Sequence, residues 1–281
     1  MKPILKYRGG KSKELKYYLK YIENEKFNVY FEPFFGGGAT YFALETFEKA
    51  IVNDVNFRLM NFYSDVKNNF SQLKKELTEL ECIYRKNQEE FENKKILNPN
   101  KIIHNKNEDL YYEMRKEFNY PTNKMLDSTI YFFINKTAYS GMTRYNSRGE
   151  YNVPYGRYKN FNTNLLNENH HLIFQKTDIF NTDYSEIFNM ATPNDIMFLD
   201  PPYDCTFNDY GNGDNFTIEQ QIKLAQDFKN LNTRCLMIIG ETSLTKELYK
   251  DYIIEKYDKR YGVNIKNRFD ANAIHLIIKN F

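Results

Sequence analysis

Asp200-Pro201-Pro202-Tyr203 places one carboxylate, two rigid carbonyls and one aromatic ring in four consecutive residues. They follow the apolar run Ile196-Met197-Phe198-Leu199, which reads as a buried strand. The prolines end the ladder, because they fix φ and offer no N–H. At the carboxyl end of a central strand, where α/β folds place their ligands, this set suits a planar base with an amino group. The carboxylate and a proline carbonyl accept from an exocyclic NH2, and the tyrosine stacks on the ring. The competing reading is a strand-to-loop turn with a surface tyrosine.

Other segments add to this chemistry. Phe35-Gly36-Gly37-Gly38 makes a sharp turn where backbone can approach a ligand closely, before a helix expected over 39–49 whose N-terminal N–H groups suit a carboxylate. Asp54 follows at the end of the next expected strand, 50–53, where an acid can accept both hydroxyls of a ribose; the competing role is a helix N-cap. Lys6-Tyr7-Arg8-Gly9-Gly10-Lys11-Ser12 is not a phosphate-binding loop, since Leu5 stands where the first glycine is required. It reads as a Gly-Gly turn placing Tyr7 and Lys11 on a ligand, or as a basic arm. Asp178, placed after an expected strand at 172–176, either accepts from an adenine amino group of a cofactor or caps a turn.

The elements that must hold these groups follow an α/β rhythm. Strand, glycine turn, helix, strand and acid over residues 29–54 make half of a nucleotide-binding unit. From about 56 to 124 the pattern turns helical, with helices expected over 70–91 and 108–118 and another over 128–136. A hairpin turn at 147–150 between two short strands comes next. The rhythm then returns with a helix over 217–231, a strand at 236–240, a helix at 245–249 and terminal strands near 252–257 and 273–278. The expected fold is a Rossmann-like, doubly wound mixed sheet interrupted by a helical insertion and a hairpin. Residues 1–58 and 165–281 are expected to form the sheet domain and 59–164 the insertion.

Composition excludes little. With 39 Lys plus Arg against 37 Asp plus Glu, the net charge of +2 does not advertise a polyanion partner, so any nucleic-acid surface must come from local clustering. No apolar run approaches the ~20 residues that span a bilayer, and the N-terminus lacks a signal-peptide core. Cys82, Cys205 and Cys235 are widely spaced, form no metal pattern and fit a cytoplasmic location.

In their order and over essentially the whole chain, these motifs resemble the Dam-type DNA adenine-N6 methyltransferases, the alpha-ordered D12 class. The likeness is strongest over residues 144–158, from Arg144-Tyr145-Asn146 to Gly156-Arg157-Tyr158, which looks like the DNA-reading hairpin of GATC-specific members. Asn215-Phe216-Thr217 looks like the family's loop after Asp-Pro-Pro-Tyr.

The resemblance implies a class I methyltransferase fold, with the insertion as target-recognition domain. It implies S-adenosyl-L-methionine as methyl donor and no metal. The implied reaction is methyl transfer to N6 of an adenine flipped from duplex DNA, with GATC as the site. Tyr7, Lys11, Phe35, Gly36, Gly38, Asp54 and Asp200 match the family's cofactor contacts. Asp200, Pro201, Pro202 and Tyr203 match its adenine pocket. Arg144 matches an arginine that reads guanine, Tyr139 an aromatic inserted beside the flipped base, and Asn152 and Pro154 contacts to base edges. Arg148, Arg157 and Lys159 suit phosphates. GATC members carry Asn-Gly where this chain has Ser140-Gly141. A restriction endonuclease acting independently is an expected partner. The alternatives are an RNA adenine or protein glutamine methyltransferase, commonly with Asn in place of Asp200, and a catalytically silent DNA-binding protein.

Overall fold

Seven short runs rich in Ile, Leu, Val, Phe and Tyr pair into one mixed sheet in the computed structural model, which describes residues 1–44, 46–203, 216–260 and 272–281. In chain order its elements are α1 (Leu15–Tyr18), β1 (Tyr30–Glu32), α2 (Ala39–Leu44), β2 (Ala50–Asn53), α3 (Phe57–Asn68) and α4 (Phe70–Leu97). There follow α5 (Lys106–Asn119), α6 (Asp127–Thr137), α7 (Glu168–Gln175), β3 (Thr177–Phe180), α8 (Tyr184–Phe188) and β4 (Ile196–Leu199). The last are α9 (Ile218–Asn230), β5 (Arg234–Gly240), α10 (Ser243–Tyr249), β6 (Ile253–Arg260) and β7 (Asn272–Lys279). The chain divides into two compact units, residues 1–10 with 56–175, and residues 11–55 with 176–281. The first ten residues therefore go with the helices rather than with the sheet.

The sheet unit has strand order β3-β2-β1-β4-β5-β7-β6. β1, β2, β3, β4 and β5 pair in parallel, and β7 runs antiparallel to both β5 and β6. The chain steps outward from β1 to β2 and β3, then returns to β4 on the other side of β1. The topological switch point thus lies between β1 and β4, where open α/β sheets bind ligands. Both faces of β4 are covered, which is why it reads as a continuous apolar run. Met197 and Leu199 join a core with Leu224, Phe228, Ile239 and Tyr249, while Phe198 stacks on Tyr18 of α1 at 5.2 Å.

Buried Asn53, the last residue of β2, ties three strand ends together. Its Nδ2 donates to the carbonyls of Pro33 (3.1 Å) and Thr182 (3.0 Å), and its Oδ1 accepts the Thr182 N–H at 2.8 Å. Its own carbonyl accepts from Phe35 N–H at 2.8 Å.

In the helical unit, α3 starts at Asn56, whose side chain accepts from Leu59 N–H. On α4 the buried residues Leu73, Leu77, Leu80 and Tyr84 keep helical spacing. No later residue of that helix is buried, and pairs such as Gln88–Glu92 and Glu90–Lys94 line the distal turns.

The expected strand at 172–176 is wrong. Residues 168–175 form α7, and the strand is Thr177–Phe180. His170, Ile173 and Phe174 are buried at i, i+3 and i+4, a spacing that a three-residue apolar run cannot reveal by itself. Asp178 consequently sits inside β3 opposite Ile51, not beyond a strand end, and its carboxylate pairs with Lys49 at 3.1 Å. The helix expected to reach 49 is described only as far as Leu44.

The hairpin's two expected strands reduce to one antiparallel bridge, Tyr145 with Tyr151, around a turn closed by Asn146 N–H to Glu150 C=O at 2.8 Å. Helix α5 replaces the missing ladder. Asn119 brackets Tyr151, accepting its N–H at 2.8 Å and donating to its carbonyl at 3.0 Å. Tyr111 and Arg115 donate to the Val153 carbonyl at 2.8 and 3.1 Å. Residues 111, 115 and 119 lie one turn apart on a single helix face. Gly156 admits no side chain, because a Cβ would come within 2.8 Å of the Thr137 carbonyl.

Two substitutions test these local arguments. Asn53→Leu leaves buried backbone groups unpaired and should cost about 2–4 kcal/mol in denaturant unfolding. Ser140 is exposed with φ of 53°, a left-handed conformation that asparagine and glycine adopt more readily. Ser140→Asn should raise stability by about 0.4–1 kcal/mol, seen as a higher Tm in a thermal melt.

Candidate active site

Strand alternation decides where Asp200 points. It continues the face of Phe198, which rests on α1, and the turn 11–14 leads directly into that helix. There Lys11 Nζ meets Asp200 Oδ1 at 2.7 Å. The lysine side chain is 4% exposed and the aspartate 23% exposed. Burial raises the Asp200 carboxyl above its ordinary pKa, and the Lys11 ammonium works against that rise. Next door, at the end of β1, buried Glu32 accepts from the Tyr30 hydroxyl at 2.6 Å. Burial pushes its carboxyl well up and the neighbouring Asp200 charge adds to the shift. Of the two acids at these neighbouring strand ends, Asp200 is the one paired with a cation.

Pro201 is buried, and the Pro202 carbonyl accepts from Gln221 Nε2 of α9 at 2.7 Å. That helix is set by a Thr217–Gln220 capping box. Tyr203 is buried with its hydroxyl donating to Asp200 Oδ1 at 3.2 Å. Its ring meets His275 edge-on at 5.1 Å and backs onto Gly240, where a Cβ would stand 3.3 Å from the ring. Gln221 and His275 were missed in the sequence, because a buried glutamine on an amphipathic helix and a histidine within an apolar strand carry no motif.

The glycine loop and Asp54 meet at the ends of β1 and β2. Gly36 N–H donates to Asp54 Oδ2 at 2.9 Å, and Gly36 and Gly38 have φ of 47° and 65°. A Cβ at Gly38 would fall 2.7 Å from the Phe35 ring. Asn56, not Asp54, caps α3. Asn181 donates to the Asp54 carbonyl at 2.7 Å. Val55, directly after this carboxylate, leaves an apolar side chain 66% exposed. Lys11, Phe35, Gly36, Gly38, Asp54 and Asp200 thus share the sheet unit, as does Asp178, which is occupied with Lys49 at the far edge strand. Tyr7 belongs to the helical unit, where its carbonyl accepts the Gly10 N–H.

The remaining candidates also belong to the helical unit. Tyr139, 53% exposed, and Ser140 form a 3-10 turn directly after α6. The Pro154 carbonyl accepts the Tyr139 N–H at 2.9 Å. Asn152 holds Arg144, its Oδ1 accepting from Nε at 2.8 Å and its carbonyl from Nη2 at 3.1 Å. Arg148 lies on the turn tip, and Arg157, with φ of 53°, and Lys159 follow it; all three are exposed. Cys205 and Asn215 lie outside the described residues. Among the described residues no group of His, Cys, Asp and Glu is gathered as for a metal ion, and no helix is long and apolar enough to cross a membrane.

Residues 7–263 match the model of the D12 class N6 adenine-specific DNA methyltransferases. The chain is 35% identical, over the full length of both proteins, to the Type II methyltransferase M.CviBI of Paramecium bursaria Chlorella virus NC1A. It is 30% identical to the Type II methyltransferase M.MjaIII of Methanocaldococcus jannaschii, covering 100% of this chain and 99% of that one. A DNA adenine methylase of Haemophilus influenzae is 29% identical over 88% of this chain and 82% of its own. With a strand running into Asp-Pro-Pro-Tyr at the switch point and a family match spanning nearly all of the sequence, this chain belongs to the D12 class of N6 adenine-specific DNA methyltransferases.

Proposed function

We propose that the sheet unit transfers a methyl group from S-adenosyl-L-methionine to N6 of an adenine swung out of duplex DNA, and that the helical unit selects the adenine. The observation that carries this reading is the Lys11–Asp200 pair, a carboxylate with an adjacent cation, partly open to solvent, at the end of β4. When bound, S-adenosyl-L-methionine supplies an electrophilic sulfonium methyl. The cradle suits that ligand. Asp54, held by Gly36, offers a carboxylate for ribose hydroxyls, the positive-φ turn at Gly36 and Gly38 brings backbone up to that carboxylate, and exposed Val55 offers apolar cover for a purine. Asp178 is better explained as a partner of Lys49 than as an acceptor for the cofactor's adenine.

The adenine must leave the stack before it can react, at a cost of a few kcal/mol. Lys11 and Tyr203 both engage Oδ1 of Asp200, so Oδ2 is the oxygen that accepts a hydrogen from the adenine amino group. The Pro201 carbonyl is the second acceptor, since Gln221 takes up that of Pro202. Two acceptors in a fixed frame draw the nitrogen lone pair out of conjugation and aim it along the line of displacement. The nitrogen would take the methyl as the carbon–sulfur bond breaks and the sulfur departs as a neutral thioether, and Asp200, with its raised pKa, is suited to receive the one proton that the nitrogen sheds. Tyr203 is the aromatic ring on which the base stacks. Most of the acceleration comes from positioning and electrostatics.

In the helical unit Asn152 uses two of the five N–H donors of Arg144. The outer edge of the guanidinium is left for O6 and N7 of a guanine. Tyr139 fills the space of the extruded base, Ser140 lies beside it, and Arg148, Arg157 and Lys159 hold phosphates. Pro154 acts through the Tyr139 backbone. The hairpin's likeness to GATC-specific enzymes supports GATC as the site. The names of two relatives, Type II methyltransferases, support a role beside a restriction endonuclease.

Asp200→Asn should fold normally and lose kcat by about 100-fold or more in a labelled-methyl assay. An active variant would overturn the pocket. Because Asp200 must be ionised and its pKa is raised, activity should fall on acidification at a higher pH than for an ordinary aspartate. Lys11→Met removes the opposing charge and should shift that fall to still higher pH. Arg144→Ala should relax discrimination at one base position, worth about 1–3 kcal/mol, in methylation sequencing. A uniform loss over all sequences would instead make Arg144 a phosphate contact.

A further inference from the structure

Behind Lys11 and Tyr203 lies a buried polar cluster with no part in the chemistry above. Glu14 sits one turn after Lys11, its N–H donating to the Lys11 carbonyl at 2.7 Å. Its buried carboxylate accepts from the Tyr257 hydroxyl at 2.7 Å, from His275 Nδ1 at 2.8 Å and from Lys259 Nζ. Tyr257 and Lys259 come from β6 and His275 from β7, so one side chain near the start of the chain grips its last two strands.

We propose that Glu14 is a positioning residue for the methyl-transfer site, fixing Tyr203 through His275 and Lys11 through its charge. The inference rests on the function proposed above. A carboxylate only accepts, so His275 must donate through Nδ1–H, which fixes both its tautomer and its ring plane. That ring stands at 84° to Tyr203 and, with Gly240 behind, clamps the aromatic side chain whose hydroxyl reaches Asp200.

The charges are balanced in the same way. Lys11 pairs with Asp200 and its charge also acts on Glu14, Lys259 pairs with Glu14, and Tyr18 of α1, Tyr257 and His275 complete the surround. Burial alone would raise the Glu14 carboxyl, but His275, Lys11, Lys259 and Tyr257 together hold it down to about 2. A hydrophobic side chain would tie β6 to β7 as firmly. It would not orient an imidazole or share a cation with Asp200.

The test compares Glu14→Gln, Glu14→Asp and Tyr257→Phe in the full-length chain. Steady-state methyl transfer is read together with the 13C NMR titration of the labelled Asp200 carboxyl and with thermal melts. Glu14→Gln should lower kcat by about 10–100-fold while the KM for DNA stays within about twofold. Asp200 should titrate at lower pH, because a nearby like charge is gone. Glu14→Asp should restore the Asp200 titration, and Tyr257→Phe should move kcat in the same direction as Glu14→Gln by less. A folded Glu14→Gln with wild-type kcat, or an unchanged Asp200 titration, overturns the proposal. If Glu14→Gln does not fold, Tyr257→Phe decides, and unchanged kcat and titration overturn it. Should the wild-type chain methylate no adenine, the proposed function fails, whereas the Asp200 titration still reports on Glu14.

Discussion

The ion pair between Lys11 and Asp200 is the constraint around which the sheet unit is arranged. An ammonium with 4% exposure is expensive to bury, and such a pair is no bargain against two well-packed apolar side chains. The surroundings follow from that demand. Phe198 on Tyr18 anchors α1, and with it the turn that carries Lys11. Glu32, one strand over, accepts from the Tyr30 hydroxyl, and burial pushes its carboxyl well up. The two prolines stop β4 at the residue where the carboxylate is needed. A charge retained at such cost at a switch point is better explained by chemistry than by stability.

The rest of the proposed transfer site is held by side chains bonded to backbone rather than by long helices. The glycine loop before α2 is held by groups outside that helix. Asn53 fixes the loops after β1 and β3 from below, Asp54 receives Gly36, and Gln221 holds Pro202. Each contact pins a backbone group that a ligand-bearing loop would otherwise leave mobile or unpaired. This explains how three loops from distant parts of the sequence can offer a single surface without regular structure of their own.

Much of this was legible in the sequence. A strand ending in Asp-Pro-Pro, a glycine turn and an acid after the next strand are local patterns, and they land at neighbouring strand ends as the α/β rule requires. What was illegible is non-local. Leu172-Ile173-Phe174 could not declare itself helical until its neighbours were known, and Asp178 moved with that error. Glu14, 243 residues from Tyr257 and 261 from His275, leaves no spacing to read. Asn53 looks like any strand-end asparagine. The hairpin was recognisable from its turn residues, but its missing ladder was not, because the bonds that replace it come from a helix about thirty to forty residues earlier.

That replacement bears on how a target site can change. A two-stranded hairpin with a single bridge is marginal on its own. Here Tyr111, Arg115 and Asn119 hold the backbone of Tyr151 and Val153, so the fold of the segment does not depend on the side chains at its exposed edge. Arg144 is aimed by Asn152, eight residues away across the turn, and not by the helix. Residues that would choose the base are thereby separated from residues that keep the segment folded. In the proposed recognition role, substitutions at 140, 144 and 148 would alter base choice at little cost to stability, whereas a change at 119 or 156 would disturb the frame. Ser140, at a left-handed turn position where an asparagine would sit more comfortably, belongs to the first group.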